Sequence, residues 1–170
     1  MTLSGKAAIA GIGATEFSKE SGRSELQLSV EAVRAALADC GLTVADVDGL
    51  TTFTMDTTSE IALARELGMD EMRFFSRINY GGGAACATVQ QAAMAVATGV
   101  ADVVVCYRGF NERSESRFGQ FSLAAATQVN TNGLDNAWSY PMGLGTPAAT
   151  VAMQARRYIC LLYTSDAADE

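Results

Sequence analysis

Residues 79–98 read NYGGGAACATVQQAAMAVAT, and the architecture of the chain is clearest in this stretch. Three glycines follow Asn79 and Tyr80, and a segment rich in alanine and without a charged residue follows the glycines. Residues 84–98 are apolar on nearly every helical face, which is typical of a helix that is buried on all sides. The stretch therefore predicts a tight glycine turn that opens a buried helix.

The sequence on both sides of this stretch alternates between strand and helix patterns. Ser24 and Gln27 form a capping-box pattern, and Gly41 supplies a helix stop. A second, shorter helix is expected to start at residues 57–59 and to end at Gly68. Short apolar runs predict four buried strands, at residues 6–13, 48–54, 72–78 and 102–107. The order β-α-β-α-β-α-β predicts an α/β fold with a mainly parallel sheet.

The remainder of the chain is less regular. Residues 108–145 lack a clear period, and Thr146-Pro147 then opens a further helix, with proline in the first turn. Residues 160–170 interrupt the helical pattern and resemble translated read-through sequence, so we interpret them as a non-native tail. The expected organisation is one incomplete domain over residues 1–159, followed by that tail.

Composition excludes several classes of protein. The chain has 170 residues, 49% of them hydrophobic, and a net charge of −7, which argues against a nucleic-acid binder because phosphates require a basic surface. The apolar run at residues 7–12 is shorter than the ~20 residues of a membrane-spanning helix, and it lacks the pattern of a signal peptide. These features predict a cytoplasmic protein without a membrane span.

The cysteine and histidine content of the chain restricts which catalytic and metal sites it can form. The four cysteines have no metal-like spacing and are expected to be free thiols. The chain contains no histidine, so it cannot form a Ser–His or Cys–His nucleophile pair by itself, and a zinc site is not expected. We predict neither a metal nor a cofactor.

The glycine turn is the candidate site. The first amides of a helix are unpaired and its dipole is positive at that end, so an oxyanion or a thioester carbonyl is stabilised there. Parallel sheets also place ligands at the carboxyl ends of their strands. We therefore assign the substrate-binding role to Asn79, Tyr80, Gly81 and Gly83, with Gly82 at the centre of the turn.

Residues 5–159 resemble the amino-terminal half of the thiolase superfamily, most specifically over residues 78–114. In that family an Asn, two residues, a nucleophilic Cys and a glycine turn open a helix that lies between two sheets. Asn79 matches this pattern, as do Ala-Thr-Gly at the end of the helix and the later Gly-Phe-Asn-Glu-Arg-Ser. The nucleophile position, however, is Gly82, and Cys86 lies about one turn deeper.

The glycines together with Val-Val-Val-Cys-Tyr-Arg-Gly-Phe-Asn are most similar to the lipid-transfer, sterol-carrier branch, which includes steroid side-chain aldolases. The resemblance implies a thiolase-like layered fold and an enzyme that processes lipid or steroid acyl-CoA thioesters. It further implies retro-aldol carbon–carbon cleavage without a Cys nucleophile, a homodimer in the full-length form and a DUF35 partner with an OB-like fold. The branch places its catalytic residues in the carboxy-terminal half, so we expect the fragment to be inactive and to expose apolar sheet and helix surfaces.

Three alternatives remain open. The first is a conventional acetyl-CoA acyltransferase that uses Cys86, although an inert core thiol is the simpler interpretation of both Cys86 and Cys106. The second is a non-catalytic lipid-transfer or scaffold subunit. The third is a dinucleotide fold at residues 11–16, which is disfavoured because Glu16 would repel a pyrophosphate and the helix starts too late. Residues 111–113 belong either to a site or dimer surface or to a solvated loop.

Overall fold

The computed structural model describes residues 3–53, 58–78, 85–111 and 138–162 of the chain. Two compact units are present, Met1–Glu115 and Ser116–Glu170, and each is described by itself. The elements of the first unit, in chain order, are α1 (Glu25–Cys40), β1 (Gly49–Phe53), α2 (Glu60–Leu67), β2 (Phe74–Ile78), α3 (Ala85–Ala97) and β3 (Val104–Cys106), with a single 3₁₀ turn at Val44–Asp46 between α1 and β1.

The two helices with clear capping signals begin and end where those signals stand. Ser24 caps α1 and forms a reciprocal capping box with Gln27, and Gly41 ends the helix in the left-handed region at φ 70°. Ser59 accepts a hydrogen bond from the Ala62 amide at the start of α2, and Gly68 ends that helix at φ 78°. Both predicted helices are confirmed, because their termini are set by contacts within three or four residues.

The three strands form a parallel sheet in the order β2-β1-β3. Gly49 pairs with Phe74 on one side and with Val104 on the other, and the register continues to the pairs Phe53–Ile78 and Thr51–Cys106. Helices connect the strands, as parallel pairing requires. The predicted α/β class and three of the four predicted strands are therefore confirmed.

The core lies on one face of this sheet, under α1 and α2. Leu50 of β1 and Leu63 of α2 are fully buried, and Val33 and Leu37 of α1 pack in the same cluster. Side chains alternate along a strand, so Thr51 and Phe53 face the opposite side from Leu50. Helix α3 packs against all three strands and is absent from the α1/α2 cluster, which places it on that opposite side.

The prediction of a buried strand at residues 6–13 is wrong. These residues form no strand, and Ile9 and Ile12 are each 77% exposed. The segment lies along α1, where the Ile12 amide donates to Asp39 Oδ2 at 3.0 Å and a Cβ on Gly13 would approach the Ala32 carbonyl oxygen to 2.3 Å. The segment, α1, α3 and β3 together line a cavity of about 730 Å³, and residues 6–13 are not paired with the edge of β3.

The prediction that the alanine-rich helix is buried on all sides is also wrong for this chain. Only Thr88, Ala92 and Ala95 of α3 are buried, whereas Val89 and Met94 are each 44% exposed. The sheet covers one face of the helix, and no described residue covers the opposite face. Phe75 of β2 is likewise 64% exposed. These apolar surfaces agree with the expectation that a fragment of a layered fold leaves its core open.

The second unit is described from residue 138 to residue 162. A 3₁₀ turn at Tyr140–Met142 precedes α4 (Pro147–Leu162), and the Ala149 amide donates to Thr146 Oγ1 at 3.2 Å at the start of the helix. The predicted helix is confirmed and continues through residues 160–162, while the interpretation of residues 160–170 as non-native stays a prediction. Among the described helices, none has the length and apolarity that crossing a bilayer requires.

Candidate functional site

The carboxyl ends of the three parallel strands meet at one edge of the sheet. Phe53 ends β1 beside Ile78, which ends β2, and Cys106 ends β3 on the other side of β1. The predicted site residues Asn79, Tyr80, Gly81, Gly82 and Gly83 lie outside the described residues. The chain reaches them from Ile78 and continues at Ala85, so both flanks of the predicted turn belong to this edge.

Helix α3 brings its amino terminus to the same edge. The helix runs from Ala85 back toward the amino ends of the strands, because it connects two parallel strands. No acidic or basic side chain lies in its first turn. The described part of α3 therefore places no charged side chain at the positive end of its dipole, an end that favours a negatively charged or polarised group.

An ion pair braces the end of β2. Arg77 Nε and Nη2 donate to the two carboxylate oxygens of Glu60 at 3.0 and 3.2 Å, and Nη2 also donates to the Thr58 carbonyl oxygen at 3.0 Å. The Glu60 side chain is only 11% exposed. Such a bidentate guanidinium–carboxylate contact restricts the orientation of both side chains. It therefore fixes the position of Arg77, which lies two residues before the predicted turn.

A second contact joins β3 to the same backbone oxygen. The Tyr107 hydroxyl donates to the Thr58 carbonyl oxygen at 2.9 Å, and both residues are buried. Thr58 directly precedes Ser59, the cap of α2. The Thr58 carbonyl group therefore connects the ends of β2 and β3 to the start of α2 at the carboxyl edge of the sheet.

The segment after β3 is anchored to the start of α1. Asn111 donates its side-chain amide to the Arg23 carbonyl oxygen at 2.8 Å and its backbone amide to Glu25 Oε1 at 3.4 Å. Ser29 is buried and donates its hydroxyl to the Glu25 carbonyl oxygen at 2.8 Å. Asn111 is therefore part of the packed structure, which overturns the solvated-loop interpretation at this position, while Glu112 and Arg113 lie outside the described residues.

Arg108 lies between aromatic rings at the same edge. Its guanidinium carbon is 4.8 Å from the centre of the Phe53 ring and 4.1 Å from that of Phe110. Phe53 is buried, Phe110 is half-buried and Arg108 is exposed. Cation–π contacts at these distances hold a guanidinium in place while leaving its N–H groups accessible.

The two cysteines near this edge have different surroundings. Cys86 is exposed in the first turn of α3, so its interpretation as an inert core residue is wrong, because the sheet covers only the opposite face of the helix. Cys106 also retains exposed surface, yet partial burial raises the pKa of its thiol to about 11. The four cysteines of the chain are free, as the sequence predicts.

Three residues of this edge were not predicted from the sequence, namely Arg77, Tyr107 and Arg108. Tyr107 and Arg108 follow a predicted strand directly, so the rule that ligands bind at strand carboxyl ends was a signal that would have selected them. The pairing of Arg77 with Glu60, 17 residues earlier, has no sequence signal. Within the described ranges, no group of three or more potential ligand side chains is placed to hold a metal ion.

Comparison with known proteins places this chain beside two closely similar sequences. It is 69% identical over 159 residues to a 17-hydroxy-3-oxo-4-pregnene-20-carboxyl-CoA lyase from Mycobacterium tuberculosis, a match that covers 94% of this chain and 41% of the relative. It is 66% identical over 160 residues to a steroid side-chain-cleaving aldolase from Thermomonospora curvata, with 92% and 40% covered. The chain thus spans about two-fifths of the length of these relatives. No family model matches it.

A solved structure shows the same arrangement of elements. The structure described as an Ltp2-ChsH2(DUF35) aldolase matches with a TM-score of 0.74 and 63% identity, over 93% of this chain and 39% of the other.

Proposed function

We propose that this chain is part of a thiolase-superfamily protein of the lipid-transfer branch, the branch of the steroid side-chain aldolases, and that the full-length protein cleaves a carbon–carbon bond in a lipid or steroid CoA thioester. The observation that supports this most strongly is the 69% identity to a steroid-CoA lyase across 159 residues. Since the chain spans about two-fifths of that relative, the activity is a property of the longer protein.

The proposed reaction is a retro-aldol cleavage of a β-hydroxyacyl thioester. A base removes the proton of the β-hydroxyl group, the bond between the α and β carbons breaks, and the β carbon becomes a ketone. The electron pair of the broken bond moves into the thioester as an enolate, which then takes a proton at the α carbon. The step requires no oxidant, no metal and no covalent enzyme intermediate.

The chain's own contribution is to stabilise the enolate oxygen. In this proposal the turn at residues 79–83 holds the thioester oxygen, with Gly82 where acyl-transferring relatives place a nucleophilic Cys. Support comes from the flanks of the turn: α3 starts at Ala85 with its positive end at the carboxyl edge, and Arg77 braces the end of β2. Oriented N–H donors and a helix dipole act most strongly on charge that develops during the reaction.

The base is proposed to come from the part of the full-length protein outside this chain, because the chain contains no histidine. We further propose that the full-length protein is a cytoplasmic homodimer and that it works with a DUF35 protein. The DUF35 proposal is supported by the description of the similar solved structure.

The experiment uses a chimera in which the matching segment of the Mycobacterium relative is replaced by this chain, co-expressed with the DUF35 partner. The chimera is expected to release the ketone and the shortened CoA thioester from a 17-hydroxy steroid 20-carboxyl-CoA substrate. Replacing Gly82 with Val keeps the backbone N–H but adds a side chain where the thioester is proposed to lie, so the turnover number should fall by roughly 100-fold or more, the cost of a misplaced substrate. Ala38→Val adds a similar volume at an exposed position of α1 and is the control. Unchanged turnover in Gly82→Val would contradict the role of the turn, and an inactive parent chimera would contradict the proposed function.

A further inference from the structure

The amino ends of the three strands are joined by Asp48, the residue directly before β1. Its carboxylate accepts hydrogen bonds from the backbone amide of Asp102 at 2.9 and 3.0 Å and from that of Val103 at 2.9 Å, just before β3. Its carbonyl oxygen accepts from the amides of Arg73 and Phe74 at the start of β2, at 2.8 and 3.1 Å. The Asp48 side chain is only 14% exposed, so one largely buried residue connects β1 with both of its neighbours.

The side chain of Arg73 extends this connection to the end of α3. Its Nη1 donates to Asp48 Oδ2 and to Asp102 Oδ2, each at 3.1 Å, and its Nη2 donates to the Gly99 carbonyl oxygen at 3.3 Å. Gly99 follows α3 in the left-handed conformation, at φ 72°. One guanidinium therefore contacts the residues that precede β1 and β3 and the carboxyl end of the helix between β2 and β3.

Helix α3 has no charged side chain of its own for this contact. Residues 85–97 contain neither an acidic nor a basic residue. The carboxyl end of a helix carries a partial negative charge and is stabilised by a nearby cation. Arg73 provides that cation from the segment before β2.

These contacts close the connection from β2 through α3 to β3 at the amino edge of the sheet. Arg73 directly precedes β2, and Asp102 lies 29 residues further on, just before β3. Between these two ends, α3 rests on the sheet through Thr88, Ala92 and Ala95. Burial of small apolar groups is non-directional, so it does not fix where the helix lies along its axis. Hydrogen bonds at one end of the helix do, because they depend on distance and angle.

We propose that Asp48, Arg73 and Asp102 form an amino-edge clamp that fixes the position of α3 along its axis on the sheet and that high salt loosens. The Arg73 side chain is 39% exposed and that of Asp102 is 82% exposed, so dissolved ions reach the contact between them and screen it. The bonds from Asp48 to the two backbone amides lie deeper and are screened less. The inference involves no substrate and is independent of the proposed reaction.

Hydrogen–deuterium exchange of the chimera, measured by mass spectrometry, tests the amino-edge clamp. Arg73→Gln is expected to speed exchange roughly tenfold in residues 94–103, because losing a charged hydrogen bond makes local opening easier. Residues 28–37 of α1 should exchange at the parental rate. Arg65→Gln removes an exposed charge from α2 and should change neither segment. Equal acceleration in both segments, or none in residues 94–103, would overturn the proposal.

Asp48→Asn tests the same clamp from its other side, since it removes the charge and keeps the shape of the side chain. It should also speed exchange in residues 94–103 alone, whereas Asp70→Asn, at an exposed position, should not. Because Asp48 and Arg73 share one contact, the double variant should exchange more slowly than the product of the two single effects predicts. Strictly multiplicative effects would show that the two side chains act separately and would contradict the clamp.

Salt provides a test that needs no further variant. Raising the NaCl concentration from about 0.05 M to about 1 M should speed exchange of residues 94–103 in the parent chimera and in Arg65→Gln. The Arg73→Gln variant has already lost the screened contact, so its response should be much smaller. An equal salt response in Arg73→Gln and in the parent would overturn the salt-sensitive part of the proposal.

Discussion

The hydroxyl of Tyr107 and the carbonyl oxygen of Thr58, 49 residues apart in the chain, are joined by a 2.9 Å hydrogen bond at the carboxyl edge of the sheet. The same carbonyl oxygen accepts from Arg77. One buried backbone group therefore links two strands to the start of α2, and this linkage sets the relative positions of the segments that flank the proposed site.

Replacing Tyr107 with Phe removes this hydrogen bond and keeps the buried ring. We expect the free energy of unfolding to fall by about 1 kcal/mol, the net value of a typical buried hydrogen bond, because the Thr58 carbonyl retains Arg77 as a partner. Thermal or urea unfolding of the chimera measures the change. A variant as stable as the parent would show that the bond contributes nothing to the edge.

Glu60→Gln should be more damaging than Tyr107→Phe. The substitution removes the negative charge of Glu60 from beside the half-buried Arg77 guanidinium. Breaking a buried ion pair from one side is costly, here about 2 kcal/mol because Arg77 is still partly exposed. Glu66→Gln is the matched control, since Glu66 is exposed on the same helix. Equal effects of the two substitutions on the unfolding midpoint would refute the bracing role of the ion pair.

Gly109 leaves no room for a side chain. A Cβ at this position would lie 2.0 Å from Ser29 Oγ and 3.0 Å from the Glu25 carbonyl oxygen. Gly109→Ala is therefore expected to destabilise the protein by roughly 1–3 kcal/mol, the usual cost of overpacking. Ser29→Ala removes the closest atom, so the double variant should recover part of the loss. A double-mutant cycle with strictly additive effects would contradict this explanation.

Cys86→Ser distinguishes retro-aldol cleavage from acyl transfer. Cys86 is exposed in the first turn of α3, and acyl transfer through its thiol would require a covalent thioester with the enzyme. The proposed cleavage has no such intermediate, so the chimera should keep its turnover number within about twofold. Loss of activity, together with loss of a covalent acyl adduct in mass spectrometry, would instead support the acyltransferase alternative.

Alkylation of Cys106 should require unusually alkaline conditions. Partial burial raises the pKa of its thiol from 9.0 to about 11, and only the thiolate reacts rapidly. In the folded protein, iodoacetamide labelling of Cys106 should stay slow at pH 9 and accelerate as the pH approaches 11. The urea-unfolded protein, in which the pKa returns to its ordinary value, should already react quickly at pH 9. Peptide mass spectrometry measures both rates, and identical pH profiles would show that Cys106 is not desolvated.

Features that depend on neighbouring residues were predictable from the sequence. Ser24 with Gln27, Ser59, Gly41 and Gly68 set the ends of α1 and α2 through contacts three to four residues apart. The alternation of strands and helices gave the parallel α/β class for the same reason, since parallel neighbours require a crossover. The alanine-rich composition of residues 84–98 likewise predicted the helix that the structure places at Ala85–Ala97.

Tertiary structure alone decided the contacts between distant segments. Residues 6–13 have the composition of a strand, but a strand also needs a partner edge, and this segment lies along α1 instead of pairing with β3. How much of α3 is exposed depends on which layers of the fold cover it, and the composition of the helix does not specify those layers. The bonds from Tyr107 and Arg77 to Thr58 arise because the strand order β2-β1-β3 brings the carboxyl ends together, and no spacing within the chain encodes that order.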